Sequence, residues 1–268
     1  MPLQRPDRTL RDARSTTRRV ARTFALACRL LPTDVRDDVY RLYLVFRTLD
    51  DAVDEGDPAA AQRLADVEAW CRGEPARGRE AELLDALAGR HALPRDAVLD
   101  FCAGMRRDLS PAPIPTEAAL DVYCYQVAGT VGVVMTAVLG TRDATAARPR
   151  AAALGQAMQR TNILRDIDED LVHGRSYLAR DTVARFGPPL PGRREALLRD
   201  QIARADALYA EGLTGVSELR RGRRAITAAA AMYREILRQI ERDGYGARPG
   251  RAVVPGARKL RVAARAVL

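Results

Sequence analysis

Apolar residues recur along this chain at three- and four-residue intervals, and no run alternates apolar and polar positions with period two over a convincing length. The pattern predicts helices at about 12–30, 34–55, 59–72, 76–89, 95–109, 117–139, 147–172, 193–213 and 223–242. Breaks fall at Pro32, Gly56-Asp57-Pro58, Gly73-Glu74-Pro75, Pro94, the Pro111 to Pro115 loop and an irregular stretch from Gly187 to Gly192. Alanine, leucine and arginine dominate, which suits helices. The expected architecture is all-α, with no internal repeat and no low-complexity segment.

Composition narrows the picture. With 268 residues and 47% hydrophobic content the chain can bury one large core, and it is expected to form a single domain over 1–268. No stretch of twenty apolar residues is apparent, and the N-terminal MPLQRPDRTLRDARSTTRRV is too charged for a secretory signal, so a cytoplasmic location is expected. The formal charge is +9, yet Lys259 is the only lysine among 44 basic residues. That excess reads as a bias toward arginine, and no nucleic-acid partner is expected. Cys28, Cys71, Cys102 and Cys124 show no CxxC pairing and read as small core residues. His91 and His173 alone cannot build a histidine metal site or a Ser-His-Asp relay. Chemistry here must run on carboxylates.

Two segments supply them. In RLYLVFRTLDDAVDE, Tyr43, Arg47, Asp50 and Asp54 are spaced by four, three and four, which places them in one helical stripe at the edge of the apolar arc of Leu42, Val45, Phe46, Leu49 and Val53. In QRTNILRDIDEDL, Gln159, Asn162, Asp166 and Asp170 form a second stripe with spacings three, four and four, beside Ile163 and Ile167. Like charges at i,i+4 oppose a helix by roughly 0.2–0.5 kcal/mol per pair, so two such stripes point to a bound cation. Carboxylate and amide oxygens without histidine or cysteine suit magnesium, which takes one or two carboxylates plus substrate phosphates. Arg47, Arg165 and Arg175 lie close by in sequence and suit the remaining oxygens of a diphosphate.

Between the stripes, YCYQVAGTVGVVMTAVLG sets Tyr123, Val127, Thr130, Val134 and Ala137 on one face of a continuous helix. Gly129, Gly132 and Gly140 are explained either by close packing or by room for a ligand. Beside two carboxylate walls, the expectation is an apolar slot for a polyprenyl tail.

Here the chain resembles the squalene/phytoene synthase family, from about residue 15 to 260. The segments are ARTFALACRLLP, YLVFRTLDDAVDE, YCYQVAGTVGVV, QRTNILRDIDEDLVHGRSYLARD and MYREILRQIERDGYGARPGRAVVPGARKL. The resemblance implies an isoprenoid-synthase helical bundle around a central cavity. It implies that Asp50 and Asp54 form the first metal motif and Asp166 and Asp170 the second, with Asn162 and Glu169 nearby. Arg47, Arg165 and Arg175 would contact diphosphate, Tyr123 would take part in proton transfer or cation stabilisation, and Tyr43, Gln159, Tyr177 and Tyr233 would line the site. The implied chemistry is magnesium-dependent, head-to-head joining of two farnesyl or geranylgeranyl diphosphates through a cyclopropylcarbinyl diphosphate. The product is squalene if NADPH supplies hydride, and a dehydrosqualene or phytoene if it does not. No glycine-rich dinucleotide fingerprint is present, so NADPH use stays open, as do substrate chain length and oligomeric state. Ala21, before Arg22 and Thr23, stands where many members have serine, and Arg160 where the pattern is usually apolar. Thr23 would remain as a diphosphate contact. Other outcomes are prenylation of a non-isoprenoid acceptor, cyclisation of a single chain, or a catalytically silent lipid-binding scaffold. The C-terminal GRAVVPGARKLRVAARAVL, with Arg251, Arg258, Lys259, Arg261 and Arg265, reads as either a packed terminus or a basic amphipathic helix touching anionic lipid.

Overall fold

Proline and glycine set most helix boundaries in the computed structural model, which describes residues 8–20 and 22–268. Helices α1 (Arg8–Val20) and α2 (Arg22–Cys28) precede Pro32, followed by α3 (Thr33–Asp54), α4 (Ala60–Cys71), α5 (Gly78–Ala88) and α6 (Arg95–Asp108). After the proline-rich loop come α7 (Glu117–Cys124), a π-helical turn (Tyr125–Gly129) and α8 (Thr130–Leu139). Then follow α9 (Ala144–Val172), α10 (Arg180–Phe186), α11 (Glu195–Thr214), a 3-10 turn (Gly215–Glu218), α12 (Arg223–Arg242) and α13 (Gly256–Val267). The protein is all-α: among the described residues there is no strand, only an isolated bridge between Thr141 and Leu219.

The helix expected at 12–30 is two, α1 and α2. Ala21 lies outside the described residues, so its departure from the family pattern has no structural account, and the same holds for the side chain of Arg22. Helix α9 begins at Ala144 because the Asp143 carboxylate accepts from the backbone N–H groups of Thr145 and Ala146, at 2.9 and 3.1 Å. Helix α10 has no counterpart in the periodicity.

Helix α9 is the axis of the bundle, packed by α7, the π turn, α8, α11 and α12, while α3 lies against α1, α5 and α8. One apolar cluster is built from α3 to α6 with α8, and a second from α7, α9, α11 and α12. Val127 and Ile226 touch both, and the seam they mark holds the cavity. Contrary to expectation, Glu117–Leu139 is long and apolar enough by composition to cross a bilayer. In the fold it is an inner element, wrapped by α6 and α9, with 56% of its most apolar window buried.

The π turn decides which face of that element meets the cavity. Wider than an α turn, it inserts one extra residue and rotates everything after it by roughly 100°. Thr130 and Val134, expected on the cavity wall, are fully buried elsewhere, with Val134 in the first apolar cluster and the Thr130 hydroxyl donating to the Gln126 carbonyl at 2.6 Å. Val127 lines the cavity as expected, and Ala128, Val131, Gly132, Met135, Thr136 and Leu139 line it in place of the other two. A Cβ on Gly132 would collide with the Ala151 carbonyl, and one on Gly155 with that of Ala128, so these glycines let α8 and α9 approach backbone to backbone.

Candidate active site

The two acidic stripes come to the same end of the bundle, from the C-terminal halves of α3 and α9. On α3, Arg47 donates from Nη1 to Asp50 Oδ2 at 2.9 Å and pairs through Nη2 with Asp51. Asp54 accepts from Arg175 Nη1 at 3.2 Å, from the loop after α9. On α9, Arg165 grips Asp166 with Nε and Nη2 at 2.7 and 2.5 Å. Arg251, from the loop before α13, reaches Asp166 at 3.0 Å and Glu169 at 3.5 Å. Arginines thus sit on acids of both stripes, and Arg175 links them: it pairs with Asp54, its charge acts on Asp170, and its N–H donates to the Asp170 carbonyl at 2.8 Å.

Burial pushes the Asp50 carboxyl up to about 7, against the pull of Arg47 and with Asp54, Asp51 and Asp108 adding like charge. Burial likewise raises Asp170 to about 6, with Asp166 adding to it and Arg175 opposing. Among the described residues no three acidic, histidine or cysteine side chains converge into a ready metal cage. Yet two buried polar atoms at this end have no hydrogen-bond partner: Asn162 Oδ1, whose amide donates instead to Gln159 at 3.3 Å, and Arg47 Nε. An orphan carbonyl oxygen beside an acidic stripe suits a hard cation, and an orphan guanidinium N–H suits a phosphate oxygen. The donor set therefore fits magnesium in its usual mode, a few protein oxygens completed by substrate phosphate.

From this end an apolar cavity of about 250 Å³ runs inward. Tyr43, Gln159, Asn162 and Tyr233 form its polar rim, and Phe24, Met158, Val216 and Leu219 are among its apolar lining. Phe24 and Tyr43 pack ring to ring at 5.0 Å. Tyr123 is absent from that lining. It stands at the charged end, stacked on Tyr177 at 5.5 Å under the Arg107 guanidinium, with its hydroxyl donating to Asp108 Oδ2 at 3.1 Å. Burial is the main cause that raises both the Tyr123 phenol, far above its ordinary value, and Asp108, to about 6.

Of the expected contacts, Tyr43, Val127, Gln159, Asn162 and Tyr233 line the cavity, and Arg47, Arg165, Arg175 and Tyr177 gather at its charged end. Thr23 is not among the residues that line the cavity, and its hydroxyl accepts from Lys259 of α13 at 3.1 Å. Arg160 is buried away from the site, where it joins Glu117 and Asp121 of α7, at 2.9 and 2.6 Å, to Gln201 of α11 at 2.9 Å. Two residues at the charged end escaped the sequence patterns. Asp108 has no acidic partner at helical spacing on α6, and Arg251 was grouped with the basic tail.

An apolar trench closed at one end by facing acids and arginines, on an all-helical frame, places the protein among the all-α prenyltransferases. It belongs to the squalene/phytoene synthase family, whose sequence pattern matches residues 17–258. A phytoene synthase of Thermus thermophilus is 42% identical over 83% of this chain and 80% of its own, and a 15-cis-phytoene synthase of Synechococcus elongatus is 34% identical over 93% and 89%. The crystal structure of a dehydrosqualene synthase in complex with ligand superposes with a TM-score of 0.88 at 26% identity, covering 96% of this chain and 95% of that one. A squalene synthase from Alicyclobacillus acidocaldarius gives 0.77 at 25% identity, over 89% and 95%.

Proposed function

We propose that the protein joins two prenyl diphosphates, farnesyl or geranylgeranyl, head to head through a cyclopropylcarbinyl diphosphate. One observation carries this: the apolar cavity ends between two acidic stripes whose rim holds the orphaned Asn162 oxygen and Arg47 Nε. The phytoene synthase relatives favour a phytoene-type ending without reduction. Asp50, Asp54, Asn162, Asp166, Glu169 and Asp170 would hold magnesium, which neutralises the departing diphosphate. Arg47, Arg165, Arg175 and Arg251 now rest on carboxylates and carry the fork geometry that phosphate oxygens require. Val127, Val131, Met135 and Phe24 keep water from the allylic cation. The test is mass spectrometry of products from each diphosphate with magnesium, with and without NADPH. A C30 or C40 hydrocarbon, or its cyclopropyl diphosphate, is expected. A cyclic product of one chain, or a prenylated foreign acceptor, would replace this reading with the corresponding alternative.

We also propose a peripheral contact with anionic bilayers through α13. Its outward face, Ala257, Leu260, Arg261, Ala264, Arg265 and Leu268, is exposed, while Val262, Ala263 and Val267 pack inward near Ala228, Ala229 and Met232.

A further inference from the structure

Head-to-head closure has a proton to dispose of. The diphosphate leaves with the C–O electron pair, the double bond of the second molecule forms one carbon–carbon bond, and the C–H pair of the carbon that had carried the diphosphate closes the ring. One proton is released, beside the leaving group and therefore at the charged end of the cavity. Tyr123 stands there, but a buried phenol next to a carboxylate resists becoming a phenolate. It can take a proton only while giving up its own. Its hydroxyl hydrogen already points to one acceptor, Asp108 Oδ2, at 3.1 Å.

Resting on the head-to-head reading, we infer that Asp108 is the terminal proton acceptor of this site: the proton lost in ring closure passes to the Tyr123 oxygen as the phenol proton moves to the Asp108 carboxylate. The surroundings suit a carboxylate that works this way. Asp108 is half-buried at the end of α6. The charges that act on it come from Asp54 of α3, from Arg107 on its own helix, and from Arg175 of the loop after α9. Asp50 of α3 and Tyr177 lie within range of its charge. Nothing else is hydrogen-bonded to its carboxylate among the described residues, so Tyr123 is its one direct partner. Asp108 thus acts through Tyr123 and is a positioning and relay residue, not one that touches substrate.

The test is a kinetic cycle on the full-length protein. In Asp108→Asn the side-chain oxygen still accepts the phenol hydrogen bond but takes no proton. The condensation kcat should fall about 10²- to 10⁴-fold, the range of general acid–base catalysis. KM, and the rise in melting temperature caused by magnesium with pyrophosphate, should stay as in the wild type. The double variant Asp108→Asn/Tyr123→Phe should be no slower than the slower single variant, because the two act as a unit. An Asp108→Asn enzyme with wild-type kcat, or losses that multiply in the double variant, overturns the relay. If Asp108→Asn melts well below the wild type, Asp108→Glu decides: at least a tenth of wild-type kcat supports the relay, and inactivity at an unchanged melting temperature overturns it. A wild type that makes no condensation product overturns the proposed function, and the relay with it. Product from the wild type with an undiminished Asp108→Asn rate overturns the relay alone.

Discussion

Asp50 resists ionisation in its surroundings, since burial and three neighbouring acids raise it from 3.8 to about 7 while Arg47 opposes them. The folded chain therefore binds this proton more tightly than the unfolded chain does. The associated stability is full below 3.8 and is lost as pH rises through about 7. Asp170 and Asp108, raised to about 6, act in the same direction. The melting temperature of wild type without magnesium should thus fall between pH 5 and 8 more steeply than that of Asp50→Asn, as differential scanning calorimetry would show. Magnesium held by these carboxylates, as proposed, would need them ionised, so magnesium with pyrophosphate should raise the melting temperature more at pH 8 than at pH 5.5. Equal rises at both values would remove these acids from the metal site. At neutral pH, Asp50→Asn and Asp166→Asn should each lose at least about 10²-fold in kcat while keeping a folded, cooperative transition. Turnover at the wild-type rate in either would sink the two-stripe mechanism.

At the scale of elements, the π turn sets the cavity wall. Val134, on the face expected to meet substrate, is buried in the first apolar cluster, whereas Val131 faces the cavity. Val134→Ala should cost about 1–3 kcal/mol of stability and leave the product distribution unchanged. Val131→Phe should preserve stability better yet block or shorten the product chain, read by denaturation midpoints beside product mass. The reverse pattern would restore an uninterrupted α-helix through 117–139. This locates what the sequence could and could not convey. The stripes of α3 and α9 were legible because every residue in each lies on one unbroken helix at 100° per residue. The cavity wall was not, because a single inserted residue leaves the local periodicity on either side intact while changing its phase. Asp108 and Arg251 were illegible for another reason: each joins the site through tertiary contact, from a helix end and a loop, with no spacing to betray it. The pairing of Thr23 with Lys259 was not legible, because that partner lies at the far end of the chain.

For the whole molecule, the C-terminal helix ties the site to its surroundings. Helix α13 packs on α12, Arg258 donates to Gln239 at 2.6 Å, and the loop before it delivers Arg251 to Asp166. Cutting the chain after Pro255 would therefore disturb packing as well as any lipid contact, and could not separate the two. The outward face can be changed alone, because Arg261 and Arg265 are exposed beside Leu260, which is 56% exposed, and make no ion pair among the described residues. Each basic side chain near an anionic surface contributes about 1 kcal/mol, so Arg261→Ala/Arg265→Ala should weaken binding to phosphatidylserine vesicles by roughly thirtyfold while leaving the melting temperature within a degree or two. Raised salt should weaken the intact protein's binding in the same way, since the attraction is screened over about a Debye length. Substrates and products of this apolarity partition into bilayers, and an enzyme resting on the surface would meet them there. Sedimentation with vesicles that is the same for both proteins would leave the outward arginines as a solvated face, and α13 as a strut whose work is to hold Arg251 over the second stripe.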